Sequence, residues 1–168
     1  MEQKKIHLTY GFITALALII LGVVLHVAGL SYEKWAFYVQ LLPFLVGILL
    51  NANAYSKAMD HNVTFGKVFS SCFRATAIVT LCMILWTFIS LMIFPEIKEK
   101  ALEMAMEGMN ENNKMTDEQI EQGMEMTRKF FTPFAVGGAL FIYMFWGAIF
   151  SLLGAAIAKK NPRPNTQL

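Results

Sequence analysis

The sequence is poor in charged residues, and four long stretches have none at all. Asp, Glu, Lys and Arg make up only 15% of the 168 residues, against 56% hydrophobic and 13% aromatic residues. A typical soluble domain carries about 25% charged residues, so this composition favours a membrane protein. Because the apolar stretches fill most of the chain, we expect one integral membrane domain over residues 1–168 and no separate soluble enzyme.

Cysteine and histidine are also scarce. Cys72 and Cys82 are the two cysteines, and on one helix they would lie about 15 Å apart along the axis, too far for a disulfide. His7 and His26 would be about 28 Å apart along the first helix, and His61 falls in a loop, so no shared metal or acid–base site follows. We therefore predict no catalytic residue, no cofactor and no metal site, and a protein that is not an enzyme.

Four uncharged stretches are long enough to cross a hydrocarbon core of about 30 Å as helices. The predicted spans are about 6–30, 35–54, 75–94 and 133–158. We favour an uncleaved first span over a signal peptide, because its apolar run is longer than that of a usual signal sequence. The second span is marginal, because Gln40, Asn51 and Asn53 offset its apolar residues. The predicted fold class is all-α, a four-helix transmembrane bundle.

Basic residues lie mostly on one side of these spans. That side carries eight basic residues and two acids, and the other side carries six basic residues and ten acids. The eight are Lys4, Lys5, Lys57, Lys67, Arg74, Lys159, Lys160 and Arg163. The positive-inside rule then places both termini in the cytoplasm, in a multi-pass membrane protein.

An amphipathic segment leads into the third span. Its apolar set is Phe65, Phe69, Cys72 and Phe73, and its polar set is Lys67, Ser70, Ser71 and Arg74. Such a helix is typical of the membrane interface, and Thr64 can cap its start. We favour an Arg74 that snorkels to the headgroups, because an Arg facing a cavity at mid-depth would cost about 2.5–3.5 kcal/mol and need an acidic partner. The predicted spans contain no acid.

Residues 95–129 are acidic and rich in methionine, with nine acids, five basic residues and six methionines. Pro95 as a first helical residue, and a capping box between Thr116 and Gln119, predict two helices joined by a turn over Asn110–Lys114. We expect an external two-helix acidic hairpin with a narrow seam of Met, Ala and Ile. Its possible partner surface is Glu99, Glu103, Met104, Glu107, Met124 and Glu125.

Thr132 and Pro133 are expected to cap and begin the last span, which also carries a seam of small residues. Gly147, Ser151 and Ala155 recur at helical spacing and would allow another helix to approach closely. The sequence leaves open whether that helix belongs to the same chain or to a second copy in a homo-oligomer. Gln40, Asn51 and Asn53 are expected to bind neighbouring helices as polar contacts worth about 0.6–2 kcal/mol each.

Several short motifs occur in a recognisable order along nearly the whole chain. They are Thr64-Phe65-Gly66-Lys67-Val68-Phe69, Phe94-Pro95-Glu96, Thr116 to Gln122, Thr132-Pro133 and the ending Ser151 to Lys160 with Ala155-Ala156-Ile157. In this order they resemble a bacterial membrane family, domain-of-unknown-function family 4199. The resemblance implies a protein of the bacterial inner membrane with four membrane helices and a long acidic loop before the last, and it transfers no catalytic residue.

Three functions compete on this evidence. The first hypothesis is a non-enzymatic scaffold or accessory protein whose external hairpin contacts another membrane or envelope protein. The second is a small transporter or pore that acts as an oligomer. The third is external binding of a soft metal, since clustered thioethers select Cu(I), although methionine more often serves packing. The lipid bilayer is the expected surrounding, and no nucleic acid partner is expected.

Overall fold

The structure, a computed structural model, describes residues 5–110 and 116–162. These residues form six helices and no strand, which confirms the all-α prediction for the described ranges. The helices are α1 (Ile6–Val27), α2 (Lys34–Ala58), α3 (Phe65–Ile93), α4 (Glu96–Asn110), α5 (Asp117–Lys129) and α6 (Phe131–Ile157). Lys4, Arg163, Met115 and the predicted turn after Asn110 lie outside the described residues.

Four helices, α1, α2, α3 and α6, are long and apolar enough to cross a membrane, which agrees with the four predicted spans. Large apolar side chains are exposed along them, among them Phe12, Leu16, Leu42, Val46, Leu81, Leu85, Phe141 and Phe145. Exposed apolar surface on this scale requires lipid or a partner rather than water. The chain is therefore an integral membrane protein, while its orientation and the bundle with an external hairpin stay predictions.

Two of the spans are longer than the sequence indicated. α2 continues to Ala58, four residues beyond the predicted end, although Pro43 lies inside it. α3 includes the amphipathic segment and runs unbroken from Phe65 to Ile93. At 29 residues this helix is about 43 Å long, which exceeds a hydrocarbon core of about 30 Å. Its excess length is sufficient to hold the polar residues near its start at an interface.

The start of α6 differs from the prediction. The helix begins at Phe131, so Thr132 is not its N-cap and Pro133 lies within its first turn. The Phe130 carbonyl accepts the N–H of Phe134 at 3.0 Å and so starts the helical hydrogen bonding. Proline is tolerated at this position because the first N–H groups of a helix have no intrahelical partner.

The start of α5 confirms the predicted capping box. Thr116 Oγ1 accepts the N–H of Gln119 at 3.4 Å, and Gln119 Oε1 accepts the N–H of Thr116 at 3.0 Å. The last turn carries Arg128 and Lys129, whose charges interact favourably with the C-terminal end of the helix dipole. Local sequence signals therefore fix both ends of this 13-residue helix.

The described residues group into two compact units. The first contains residues up to Met83 and from Leu140 onward, and the second contains Ile84–Ala139. Phe44 is fully buried in the first unit, where its ring lies edge-on to Tyr143 at 5.8 Å and to Phe150 at 5.3 Å. In the second unit α4 packs against α5.

A junction in the first unit joins the α2–α3 loop to the segment after α6. Asp60 and His61 both have positive φ values, of 50° and 60°. The Ser56 hydroxyl contacts His61 Nδ1 at 2.8 Å and donates to the Lys159 carbonyl, while the His61 carbonyl accepts the N–H of Asn161 at 2.7 Å. These hydrogen bonds hold the strained turn in place.

Lys160 caps the end of α6. Its Nζ donates to the carbonyls of Ala155, Ala156 and Ala158 at 2.5, 3.0 and 2.9 Å. The last carbonyls of a helix have no intrahelical donor, and a cation there also interacts favourably with the helix dipole. Lys160 is thus bound to the end of its own helix rather than free for a partner.

Candidate functional site

A cluster of buried polar side chains lies where α2 and α3 meet in the first unit. Asn51 is fully buried, and its Nδ2 donates to Ser71 Oγ at 3.3 Å and to Cys72 Sγ at 3.5 Å. The Cys72 thiol in turn donates to the Ile48 carbonyl at 3.8 Å. Among the described residues Asn51 Oδ1 has no hydrogen-bond partner. An unpaired buried acceptor costs about 1–3 kcal/mol, so this amide is held at an energetic cost.

A second set of buried hydroxyls joins α3 to α6. Thr76 Oγ1 lies 3.4 Å from both the Gly147 carbonyl and Ser151 Oγ, and Ser151 Oγ donates to the same carbonyl at 2.6 Å. Thr80 Oγ1 donates to the Thr76 carbonyl at 2.9 Å. Each of these hydroxyls has a partner, so they stabilise helix packing and leave the Asn51 oxygen as the unsatisfied atom of the cluster.

The predicted small-residue seam of α6 packs against other helices of the same chain. Gly147, Ser151 and Ala155 are all buried. A Cβ at Gly147 would lie 2.1 Å from Thr76 Cγ2 and 3.0 Å from Phe44 Cζ. Distances this short show that the α6 backbone approaches its neighbours as closely as glycine allows.

The other predicted membrane polar residues do not join the cluster. Gln40 is half-buried, and Asn53 is exposed in a groove of about 520 Å³ that Gly154 and Lys159 also line. Arg74 is exposed. Of the four residues predicted as intramembrane or interfacial polar groups, Asn51 is the one in contact with other buried polar side chains.

The amphipathic start of α3 has three faces rather than the two that the sequence indicated. Phe65, Phe69 and Phe73 stack in a row, with ring centroids 6.5 and 5.7 Å apart. Ser71 and Cys72 are buried with Asn51, so Ser71 does not belong to a solvated face and Cys72 does not belong to the lipid face. The two-face interpretation was wrong for these two residues because a helix packed against protein needs an inward face as well.

The α4–α5 pair has a groove of about 600 Å³ beside α5. Met106, Ile120 and Met124 contribute apolar lining. The ionisable side chains around it are Asp117, Glu121, Glu125 and Arg128. The groove therefore combines adaptable apolar side chains with an excess of negative charge.

The residues of the predicted partner surface are not all exposed in the structure. Glu99, Glu103, Met104 and Glu107 are exposed on α4, and Glu125 is exposed on α5 at the groove. Met124 is buried, with 8% of its surface exposed, so its side chain belongs mainly to the packing of α5 and is not the open contact surface that was predicted. The seam between the two helices also differs from the predicted seam of Met, Ala and Ile. On α4, Met104 and Gly108 are exposed, while Leu102 and Met109 are half-buried.

The buried cluster consists of amide, thiol and hydroxyl groups, which bind and orient other groups through hydrogen bonds. Within residues 5–110 and 116–162 no group of three or more His, Cys, Asp or Glu side chains could hold a metal ion. The hydrogen bonds of the buried cluster therefore contribute to helix packing.

The sequence analysis did not identify Ser71, Thr76 and Thr80 as buried. A signal was present, because Val68, Cys72, Ala75, Thr76 and Val79 recur at helical spacing and are small. Small residues on one face of a membrane helix indicate a packing face even when some are polar.

Comparison with known proteins gives a family and no function. No curated protein and no solved structure matches the chain. A protein family described as "Protein of unknown function (DUF4199)" matches residues 9–160, which span the described helices from α1 to the end of α6. The chain therefore belongs to this family, as the order of its motifs had indicated.

Proposed function

We propose that this protein is a non-enzymatic accessory or scaffold protein of the membrane that binds a protein partner through the α4–α5 pair. The observation that carries the proposal is the groove beside α5, where Met106, 48% exposed, lies among acidic side chains and the buried Met124 completes the apolar lining. Four membrane helices do not need such a groove in order to fold. A methionine-lined groove is well suited to a partner because thioether side chains adapt to different shapes.

The charge around the groove indicates the kind of partner. Asp117, Glu121 and Glu125 give three negative charges against the single positive charge of Arg128. A basic amphipathic helix of another membrane or envelope protein would pair its cations with these acids and place its apolar face on Met106. By the predicted topology, this contact takes place on the external side of the membrane.

The first prediction uses photo-cross-linking in cells. A photoreactive residue at position 106 is expected to yield an adduct with one defined partner, because Met106 lines the groove. Position 104 is the matched control, since Met104 and Met106 are similarly exposed, at 45% and 48%, but Met104 does not line the groove. Equal adducts from the two positions would contradict binding in the groove.

Charge reversal completes this test. Glu121→Lys with Glu125→Lys is expected to abolish the position-106 adduct, because the two changes replace attraction of a basic partner by repulsion. The control pair is Glu99→Lys with Glu107→Lys, which makes the same change in net charge on α4, away from the groove. An adduct that forms equally in both charge-reversal variants would refute the proposed recognition of a basic partner by the groove. A cross-linked partner without a basic segment would also refute it.

Transport through an oligomer is the second candidate, and the buried Asn51 cluster is the observation that favours it. Intramembrane polar groups often mark substrate pathways. This candidate predicts that liposomes containing the purified protein are permeable to small polar solutes, and that Asn51→Ala reduces the flux several-fold. Flux equal to that of protein-free liposomes would exclude it.

Soft-metal binding by the methionines is a weaker alternative to partner binding. Met106 and Met124 both line the groove, and thioethers are ligands that select Cu(I). Among the described residues that line the groove there is no His or Cys to complete a soft-metal site. The same methionines are better explained as an adaptable contact surface.

A further inference from the structure

The first unit contains a basic groove of about 690 Å³ that the proposed function does not use. It lies among the starts of α1 and α3 and the end of α2. Its polar lining is His7, Tyr55, Thr64, Lys67, Ser70, Ser71 and Arg74. All of these side chains can donate hydrogen bonds, and two of them carry a full positive charge at neutral pH.

The two cations of the basic groove are available to a ligand. Lys67 and Arg74 are seven residues apart on α3, which places them two turns apart on one face. Both are exposed, and within the described ranges neither forms an ion pair with an Asp or Glu side chain. The described residues that line the groove include no acid. Two unneutralised cations that face one concave surface create a positive potential that attracts an anion.

The floor of the basic groove is held by the buried cluster. Ser71 is only 5% exposed, and its Oγ accepts the Nδ2 hydrogen of Asn51 at 3.3 Å. Because the oxygen accepts this bond, the Ser71 hydroxyl hydrogen stays available as a donor. Phosphate recognition uses the charge of Lys and the forked pair of donors of Arg, and the Ser71 hydroxyl in the same lining adds a further donor.

The position of the groove on α3 suits a ligand of the membrane surface. Phe65, Phe69 and Phe73 form a stacked row on the same helix. Phe65 is 45% exposed, and it begins a helix whose later part is apolar enough to span the bilayer. Cations beside exposed aromatic rings at the end of a membrane span are typical of the headgroup level.

We propose that the basic groove binds a phosphate-bearing anion through Lys67, Arg74 and the Ser71 hydroxyl. The phosphate can be that of an anionic lipid headgroup or that of a soluble phosphate compound, since both present the same oxygens. This site lies in a different unit from the α4–α5 groove, so the proposal does not depend on the proposed partner function.

The test measures thermal unfolding of the purified full-length protein in a neutral detergent. Three ligands are titrated separately: phosphatidylglycerol, zwitterionic phosphatidylcholine and inorganic phosphate. The variants are Lys67→Gln and Arg74→Gln, with Lys57→Gln as the matched control, because Lys57 is exposed at the end of α2 but does not line the groove. Arg74→Lys keeps the positive charge but loses the forked pair of donors, so its ligand response is expected to lie between those of the wild type and Arg74→Gln.

Phosphatidylglycerol is expected to raise the unfolding temperature of the wild type and of Lys57→Gln. The half-saturating concentration should rise about fivefold in Lys67→Gln and in Arg74→Gln, from the loss of one surface cation each. The same dependence with inorganic phosphate identifies a soluble ligand, and its restriction to phosphatidylglycerol identifies a lipid. No shift with either anion, an equal shift with phosphatidylcholine, or the same response in every variant would overturn the proposal.

Discussion

Replacing Gly147 with leucine is expected to lower the free energy of unfolding by about 3 kcal/mol or more, the upper end of the range for overpacked cores. Even the Cβ of the new side chain would lie 2.1 Å from Thr76 Cγ2. Thr76 is fully buried and branched next to its backbone, so it cannot move away without shifting α3. The measurement is unfolding in mixed micelles by titration with SDS, followed by helical circular dichroism.

Gly137→Leu is the control for this change. Gly137 lies on the same helix, and a Cβ there meets no atom within 4 Å. The control is expected to be neutral or slightly stabilising, because leucine has a higher helix propensity than glycine by about 0.8 kcal/mol. Gly147→Ala, combined with Thr76→Ser to remove the clashing methyl group, should recover part of the loss. Equal stability of the two leucine variants would show that α6 does not pack against α3 this closely.

Replacing Asn51 with aspartate is expected to cost about 3 kcal/mol of stability at pH 8, close to the insertion cost of an aspartate within a membrane helix. The change is almost isosteric, so packing is preserved and the effect is electrostatic rather than steric. It removes the donor to Ser71 and places a charged oxygen where the described structure already has an acceptor without a partner. A buried carboxylate without a paired cation is strongly disfavoured.

Asn53→Asp is the matched control, two residues further along α2. Asn53 is exposed in a groove that Lys159 also lines. The carboxylate of the new aspartate can therefore reach solvent or a cation, and the substitution should cost much less stability. Unfolding by SDS titration of both variants gives the comparison. Equal destabilisation would mean that depth in the membrane, rather than enclosure by α3, governs the cost at these positions.

Features encoded locally were predicted well from the sequence. The four apolar stretches are visible in composition alone, because a helix in lipid must satisfy all of its backbone groups internally. The capping box at Thr116 and Gln119 was also visible, because it joins residues three positions apart. The marginal second span is an informative case, since α2 forms a full 25-residue helix despite Pro43 and its polar residues.

Features that depend on contacts between distant helices could not be predicted. Asn51 and Ser71 meet across 20 positions, and Thr76 meets Ser151 across 75. The small residues near Ser71 indicate a packing face, but they do not show which group on another helix its hydroxyl meets. Met124 was placed on a partner surface for the same reason, because helical spacing shows which residues share a face but not what covers that face.

The junction at Ser56 and His61 has a consequence for the order in which the chain is assembled. Ser56 donates to the carbonyl of Lys159, which lies 103 positions later. While the ribosome is still synthesising the last helix, that carbonyl does not yet exist, so the Ser56 hydroxyl keeps His61 Nδ1 as its partner and water must satisfy the His61 carbonyl. The loop between the second and third helices can therefore reach its final form only after translation has passed Asn161, so maturation of an early loop waits for the segment that follows the fourth span.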